Sequence, residues 1–244
     1  MTIILVIPTY NEAENLPILA KAIFDLGIKD LQILVVDDNS PDGCGDVADG
    51  LHTQYGNQFR VIHRQNKQGL GKAYIQGLDW ALKHDADVIG MMDADLSHPP
   101  EKLVEMLATL EHADLVIGSR YVEGGSLDDH WPIWRKFLSW FGNTYARIIL
   151  GLPIKDATGA YRLWQREALE IIPFRDSKSN GYVFIIELAY LAKLNDIKIK
   201  EVPIHFVERE NGYSKMSLWI QIEAAFRVWK LRQVHKKPAR EKRS

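Results

Sequence analysis

Ile3-Ile4-Leu5-Val6-Ile7-Pro8-Thr9-Tyr10-Asn11-Glu12 is an apolar, β-branched run that stops abruptly in polar and turn-forming residues. A continuous rather than alternating apolar run reads as a strand buried on both faces. The next segment, Glu12 to Leu26, has helical spacing. Gln32 to Val36 then repeats the first pattern and ends in Asp37-Asp38-Asn39-Ser40-Pro41-Asp42-Gly43. Further strands are predicted at Phe59 to Ile62, Val88 to Met92 and Leu115 to Ile117, with helices at Val47 to Tyr55, Lys72 to Lys83 and Pro100 to Leu110. This alternation predicts an α/β fold with a mostly parallel sheet flanked by helices. Residues 1–120 then form a doubly wound nucleotide-binding half.

The pattern loosens after Tyr121. Glu123 to His130 is rich in Gly and Asp and reads as a mobile loop, and Trp131 to Leu150 as an aromatic amphipathic helix. Ala160 to Trp164 and Ile197 to Val207 read as strands, Val183 to Leu194 as a helix between them, and Met216 to Gln233 as a final amphipathic helix. No linker or repeat divides the 244 residues, which suit one domain with an acceptor half at 121–215 and a helix and tail at 216–244. A single cysteine, Cys44, excludes an intrachain disulfide and a Cys-based metal cluster. No signal-peptide core and no apolar stretch of roughly 20 residues is found. A cytoplasmic protein, soluble or peripheral at a membrane, is expected. The net charge of −2 conceals a basic end: residues 230–244 hold seven Lys or Arg and one Glu, or +6, leaving −8 for the remainder. A basic tail on an acidic body points to an anionic surface, and no nucleic-acid partner is expected.

Open parallel sheets bind ligands at the carboxyl ends of their strands, and three of those ends carry polar groups here. Asp93 and Asp95, two residues apart on an extended chain, project to one side. Two carboxylates aimed at one point need a cation, and hard oxygen donors favour Mg²⁺ or Mn²⁺ with water and substrate phosphate completing the shell. Such an ion neutralises a diphosphate leaving group. Ser97 or His98 is a further candidate ligand, and Pro99-Pro100-Glu101 opens a helix. Asp38 is the candidate reader of ribose or base, Tyr10 offers an aromatic surface, Glu12 an acceptor, and Asn11 a helix cap. Gln68-Gly69-Leu70-Gly71-Lys72 is no P-loop, because Asn66 stands where its first Gly belongs; the glycines suit a tight turn into a helix. Arg120, Arg209 and Lys215 are the cations expected near phosphate. Arg135 and Arg162 read as surface ion pairs.

Taken in order, the segments 7–12, 35–43 and 92–100 resemble the inverting glycosyltransferases of GT-A fold. Gly118-Ser119-Arg120-Tyr121-Val122, Asp156-Ala157-Thr158-Gly159-Ala160-Tyr161-Arg162, Glu201-Val202-Pro203-Ile204, Phe206-Val207-Glu208-Arg209 and Ser214-Lys215 narrow the resemblance to dolichol-phosphate and polyprenol-phosphate mannosyltransferases. That resemblance implies GDP-mannose as donor, a polyprenyl or dolichyl monophosphate as acceptor at a membrane surface, and inversion at the sugar. It implies that Pro8, Tyr10, Glu12, Val36 and Asp38 hold the nucleoside, that Asp93, Ala94 and Asp95 hold metal and diphosphate, and that Arg120, Arg209 and Lys215 contact phosphate. Some relatives carry Gln at the position of Ser97, where it assists the metal. Asp156 is the candidate carboxylate if one assists as a base. Many relatives have added transmembrane helices, and small membrane-anchoring subunits are a further implied partner.

An acceptor phosphate monoester is largely dianionic at neutral pH, with a second pKa of about 6, and needs little base assistance. The catalyst then works by orientation and by stabilising the leaving group, with Asp95, Arg120 and Asp156 as the candidate catalytic residues. Two aromatic stripes fit a lipid surface: Trp131, Trp134, Phe137, Trp140 and Phe141, and then Leu218, Trp219, Ile222, Phe226 and Trp229 with Lys230, Arg232, Lys236 and Lys237 following. Their bland alternative is core packing. Glucosyl transfer to polyprenyl phosphate is the alternative within the class, and a non-catalytic nucleotide-sugar-binding subunit the alternative outside it.

Overall fold

The computed structural model describes residues 1–207 and 218–235, the stretch 218–225 as backbone only. Seven strands form the main sheet: β1 (Ile3–Thr9), β2 (Leu31–Asp37), β3 (Phe59–His63), β4 (Val88–Met91), β5 (Leu115–Ser119), β7 (Arg162–Gln165) and β8 (Ile199–Pro203). Their spatial order is β3-β2-β1-β4-β7-β5-β8. The β1–β2, β2–β3, β1–β4 and β5–β8 pairs are parallel, and β7 runs antiparallel between β4 and β5. The helices are α1 (Asn15–Phe24), α2 (Cys44–Tyr55), α3 (Leu70–Lys83), α4 (Lys102–Leu110), α5 (Ile133–Leu150), α6 (Arg166–Glu170), α7 (Gly181–Leu194) and α8 (Leu218–Val234).

Burial on both faces of the sheet explains the unbroken apolar runs. Ile4, Val6, Leu34 and Val36 face a core shared with α3, α5 and α7, whereas Ile3, Leu5, Ile7, Ile33 and Val35 face a core shared with α1, α2 and α4. Successive residues of one strand thus enter opposite cores. Gly77 of α3 lies where helix and sheet approach most closely. A Cβ there would collide with Val6 Cγ1 and crowd Val36 Cγ2 at 3.1 Å. Overpacking of this kind costs about 1–3 kcal/mol, partly offset by the ~1 kcal/mol that Ala gains over Gly inside a helix. Gly77→Ala is therefore expected to lower the midpoint of urea unfolding, and an unchanged or raised midpoint would contradict this packing.

Several sequence expectations need correction. The segment 123–130 is not wholly loop: β6 (Ser126–Leu127) pairs in parallel with β9 (His205–Phe206), forming a second, two-stranded sheet. The stretch 197–207 is not one strand. It leaves the main sheet at Pro203, which has no N–H for the ladder, and Ile204 N then bonds Ser119 O before β9 begins. Arg162 makes no surface ion pair. It is fully buried and donates to the carbonyls of Ala157, Gly159 and Ile185, and burial lowers its pKa to about 10. For Arg135 the ion-pair expectation is not overturned; its guanidinium also lies over the Trp131 ring at 3.8 Å. Asn11 does not cap α1: the helix starts after Glu14, and Asn11 sits at φ 60°, a left-handed conformation that Asn tolerates. The Gln68–Lys72 turn is as expected, with Gly69 at φ 92°.

Among the described residues no helix is long and apolar enough to cross a membrane. The α5 stripe is not core packing. Asn143, Ala146 and Leu150 face inward, while Ile133, Trp134, Phe137, Trp140 and Phe141 are each at least half exposed. Trp131 precedes the helix and is buried. On α8, Val228 and Leu231 are buried, and Phe226 and Trp229 are exposed.

Candidate active site

The order of the sheet reverses between β1 and β4: β2 and β3 lie to one side of β1, and β4 to the other. The carboxyl ends of β1, β2 and β4 therefore open on one crevice, the place where doubly wound sheets take ligands. Asp38 N bonds Thr9 O at 3.0 Å and so joins the ends of β1 and β2.

Asp37 and Asp38 divide their work. Asp37, which sequence reasoning passed over, accepts from Thr9 Oγ1, Ser40 N and Ser40 Oγ, and so shapes the turn. Asp42 extends the stitching by accepting from the amides of Ala13 and Cys44. Asp38 is 3% exposed. It accepts from Arg64 Nη1 at 2.5 Å, Gln68 N at 3.0 Å and Gly69 N at 2.7 Å. These three donors take most of a carboxylate's roughly four lone-pair sites. Asp38 is thus built first as the anchor of the 64–69 loop, and a nucleoside would have to share it. Tyr10 is half-buried, with Lys67 Nζ 3.5 Å above its ring. Glu12 accepts from Asn15 Nδ2 at 2.8 Å. The Pro8 and Val36 side chains are buried, and Val36 belongs to the α3-side core, so it can offer a ligand only its backbone.

The acid segment after β4 is bent. Extended pairing stops at Met91, the chain turns at residues 94–96, and Leu96 takes φ 62°. The straight-chain argument for Asp93 and Asp95 therefore fails in detail. The two carboxylates still share surroundings, because the charge of each acts on Tyr74 and on His98. Tyr74 of α3 donates to Asp93 Oδ1 at 3.2 Å. Burial above all, then the charge and hydrogen bond of Asp93, hold its phenol well above the ordinary value. Asp95 is 3% exposed, and its Oδ1 accepts from Ser97 N and from Ser97 Oγ at 2.5 Å. The Ser97 hydroxyl proton is thus spent on orienting Asp95. His98 is buried, and its Nδ1 accepts from the Asp93 amide at 3.1 Å, so the neutral ring carries its proton on Nε2. Burial lowers its pKa. Ala94 is buried in the core shared with α4.

Helix α3 ties the two clusters together. The turn at its start holds Asp38, and Tyr74, one turn into the helix, holds Asp93. No local sequence signal marks Tyr74, because a tyrosine at helical spacing reads equally well as core.

Arg120, after β5, and Asp156 are paired with each other. Arg120 Nε donates to Asp156 Oδ2 at 2.7 Å, and Nη2 to Asp156 Oδ1 at 2.8 Å and Thr158 Oγ1 at 2.6 Å. Asp156 is fully buried and also accepts from the amides of Arg120, Thr158 and Gly159. Burial alone would raise its pKa, but Arg120 reverses this and holds it below the usual carboxylate range. The same pairing outweighs burial for Arg120 and raises its pKa. A carboxylate supplied with this many donors is a poor proton acceptor, which corrects the expectation of Asp156 as a base. Its turn is clamped from two sides: Glu201 of β8 accepts from the amides of Lys155 and Asp156, and Asn143 of α5 bonds Lys155 O and Ala157 N. Phe206 joins this cluster to the acids, 5.6 Å edge-on from His98 and 5.2 Å from the Arg120 guanidinium. Val207 N bonds Ser97 O. Arg209 and Lys215 lie outside the described residues.

Among the described residues no group of three or more His, Cys, Asp or Glu gathers as a metal site. Asp93 and Asp95 supply hard oxygen donors of the kind that hold a divalent cation when substrate phosphate and water complete the shell.

Known proteins agree with this architecture. The glycosyl transferase family 2 profile matches residues 4–172. A polyprenol monophosphomannose synthase of Mycolicibacterium smegmatis is 46% identical over 232 residues, covering 94% of this chain and 87% of that one. An undecaprenyl-phosphate mannosyltransferase of Micrococcus luteus is 45% identical over 228 residues, covering 93% of each. Glucosyl-3-phosphoglycerate synthase from Mycobacterium tuberculosis, solved with Mn²⁺ and UDP-glucose, is similar in fold with a TM-score of 0.66 at 18% identity, over 96% of this chain and 78% of that one. The same protein with Mn²⁺, UDP and its glucosylated product gives a TM-score of 0.67. The fold is of GT-A type, and the chain belongs to glycosyl transferase family 2, a family of glycosyltransferases.

Proposed function

We propose that this chain transfers mannose from GDP-mannose to a polyprenyl monophosphate, releasing GDP and giving a polyprenyl-phosphate mannose of inverted anomeric configuration. The observation that carries the reading is the identity of 45–46% to two chains named for this chemistry, spread over more than nine-tenths of the sequence. An acid-bearing segment and a partly buried, carboxylate-oriented arginine on one sheet edge support it.

Tyr10, Glu12 and Asp38 border the nucleoside, with backbone contact from Pro8 and Val36. Asp93 and Asp95 hold Mg²⁺ or Mn²⁺, with Ala94 between them and Ser97 fixing the angle of Asp95. When bound, the ion neutralises charge on the departing diphosphate. Asp156 does not take a proton. It orients Arg120, whose three side-chain bonds use Nε and Nη2 and leave the Nη1 end to meet phosphate. A non-bridging oxygen of the acceptor phosphate forms the new bond to the anomeric carbon, while the bond from that carbon to the β-phosphate oxygen of GDP breaks. Attack from the face opposite GDP inverts the centre, and no proton transfer is required. Arg209 and Lys215 are assigned to phosphate on their sequence positions alone.

The acceptor's lipid tail places the enzyme at a bilayer. The exposed Trp134, Phe137, Trp140 and Phe141 of α5 and the +6 balance of residues 230–244 suit an anionic surface, which on this reading is the cytoplasmic face. Trp134→Ala/Trp140→Ala is expected to lower binding to phosphatidylglycerol vesicles at least tenfold by co-sedimentation, with GDP-mannose affinity in solution kept. Equal vesicle binding would remove α5 from the interface.

A donor screen tests the function. GDP-mannose or UDP-glucose is incubated with undecaprenyl phosphate, with Mg²⁺ or with EDTA, and the product lipid is weighed by mass spectrometry. The expected product carries one hexose, comes from GDP-mannose only and disappears with EDTA. Product from UDP-glucose alone would overturn the donor assignment, and no product from any donor would favour a non-catalytic binding subunit.

A further inference from the structure

Glu187 has no place in the chemistry above. It is 3% exposed and is the one charged residue among Val183–Ala192, the buried stretch of α7. Its Oε1 pairs with His235 Nε2 at 2.6 Å, just past the last residue of α8. Its Oε2 accepts from Ser177 Oγ at 2.5 Å, and Ser177 Oγ accepts from Ser179 N at 3.1 Å. Asn180, next in the chain, grips the turn before α3: its Oδ1 accepts from Gly71 N at 3.2 Å and its Nδ2 donates to Gln68 O at 3.1 Å. Lys72 Nζ adds a bond to Ser177 O at 3.3 Å. Gln68 N and Gly69 N donate in turn to Asp38. A string of hydrogen bonds through the 177–180 turn therefore runs from the end of α8 to the strand end where the nucleoside is placed. It has little slack, because a Cβ on Gly71 would stand 2.7 Å from Ser179 O. An apolar pair would fill the space of Glu187 and His235 without a desolvation penalty. The polar string adds direction instead, since each bond fixes the angle of the next group.

We propose that Glu187 is a positioning residue that couples α8 to the donor site: seating of α8, with its exposed Phe226 and Trp229, on a lipid surface sets the 68–71 turn and tightens nucleotide binding. The inference rests on the reading of a nucleotide-sugar donor and a membrane-borne acceptor. Lipid-surface engagement and donor binding then favour each other equally, as linkage requires.

The test is calorimetric binding of GDP with Mg²⁺ to the full chain, with and without phosphatidylglycerol vesicles. Vesicle co-sedimentation and thermal unfolding are measured in parallel. Vesicles are expected to tighten GDP binding to the wild type on the order of fivefold or more. Ser177→Ala cuts the string at the turn, and His235→Ala cuts it at α8. Each is expected to reduce the gain below about twofold while vesicle binding is kept, and the double variant to lose no more than either single one, as members of one chain do. Glu187→Gln, whose amide still accepts from Ser177 and donates to His235, is expected to keep most of the gain. A wild type whose affinity for GDP and for UDP ignores vesicles would overturn the coupling, as would variants that retain the full gain. A wild type that ignores GDP but gains affinity for UDP on vesicles would overturn the donor reading and leave the coupling standing. If Ser177→Ala unfolds, His235→Ala decides alone.

Discussion

Replacing Asp95 with Asn is expected to lower kcat/KM for mannosyl transfer by about 10²–10³-fold, the usual cost of removing one group that stabilises developing charge. The two bonds from Ser97 suit this substitution. Ser97 N and Oγ both donate to Asp95 Oδ1, and the amide oxygen of Asn can accept both bonds. Both Ser97 bonds are then kept while the negative charge is lost, and the unfolding temperature is expected to stay within about 2–4 °C, the shift that roughly 1 kcal/mol produces in a chain of this size. Initial rates with varied Mg²⁺, beside thermal unfolding, separate the outcomes. Activity near the wild-type level with unchanged metal dependence would remove Asp95 from the metal site. Ser97→Ala should fall between the two, because it loosens Asp95 without removing its charge.

The second large effect is on stability. Asp156→Ala leaves the largely enclosed Arg120 side chain without its carboxylate partner and strips acceptors from Thr158, Gly159 and the Arg120 amide. Breaking a buried pair from one side costs about 3–5 kcal/mol. At about 2–4 °C per kcal/mol this lowers the unfolding temperature by roughly 6–20 °C. Activity should fall as well, because Arg120 loses its orientation. A base role would give the opposite pattern, with the rate lost and the stability kept. Adding Arg120→Met to Asp156→Leu should recover the part of the lost stability that comes from the orphaned charge, and none of the activity, while the amides that Asp156 accepted from stay unpaired. Acid should mimic the single substitution. The folded carboxyl titrates below its unfolded value, so its contribution is complete above about pH 4 and is lost as the pH falls through the folded value. Asp156→Ala should lack that part of the wild type's acid-induced loss.

Much of this molecule was legible in its residues. Strands buried on both faces must be apolar throughout, and helices between them must carry a 3.6-residue stripe, so the positions of β1 to β5 and α1 to α5 follow from pattern alone. The polar strand ends follow too, because acids and glycines directly after such runs can only sit at the sheet edge. Arg120 and Asp156 were both singled out, but as separate actors, one for phosphate and one for a proton. Nothing local in sequence tells a reader that two residues 36 apart meet side on.

Tertiary structure decided the rest. Strand β7 slots antiparallel between β4 and β5, since a strand of four residues carries no direction of its own. Arg162 turns inward to three carbonyls because its strand and α7 meet there. Asp38 is held by Arg64 and by two amides of the loop before α3, partners that only folding delivers. Ser97 became an aid to Asp95 because the chain bends just after β4. The α5 stripe, equally consistent with core or surface as a pattern, faces outward because Asn143 and Ala146 occupy its inner side. Local patterning records which side chains leave water and at what period. Pairing between distant segments depends on the three-dimensional path of the chain, and there the site acquires its charges, its orientations and its links to α8.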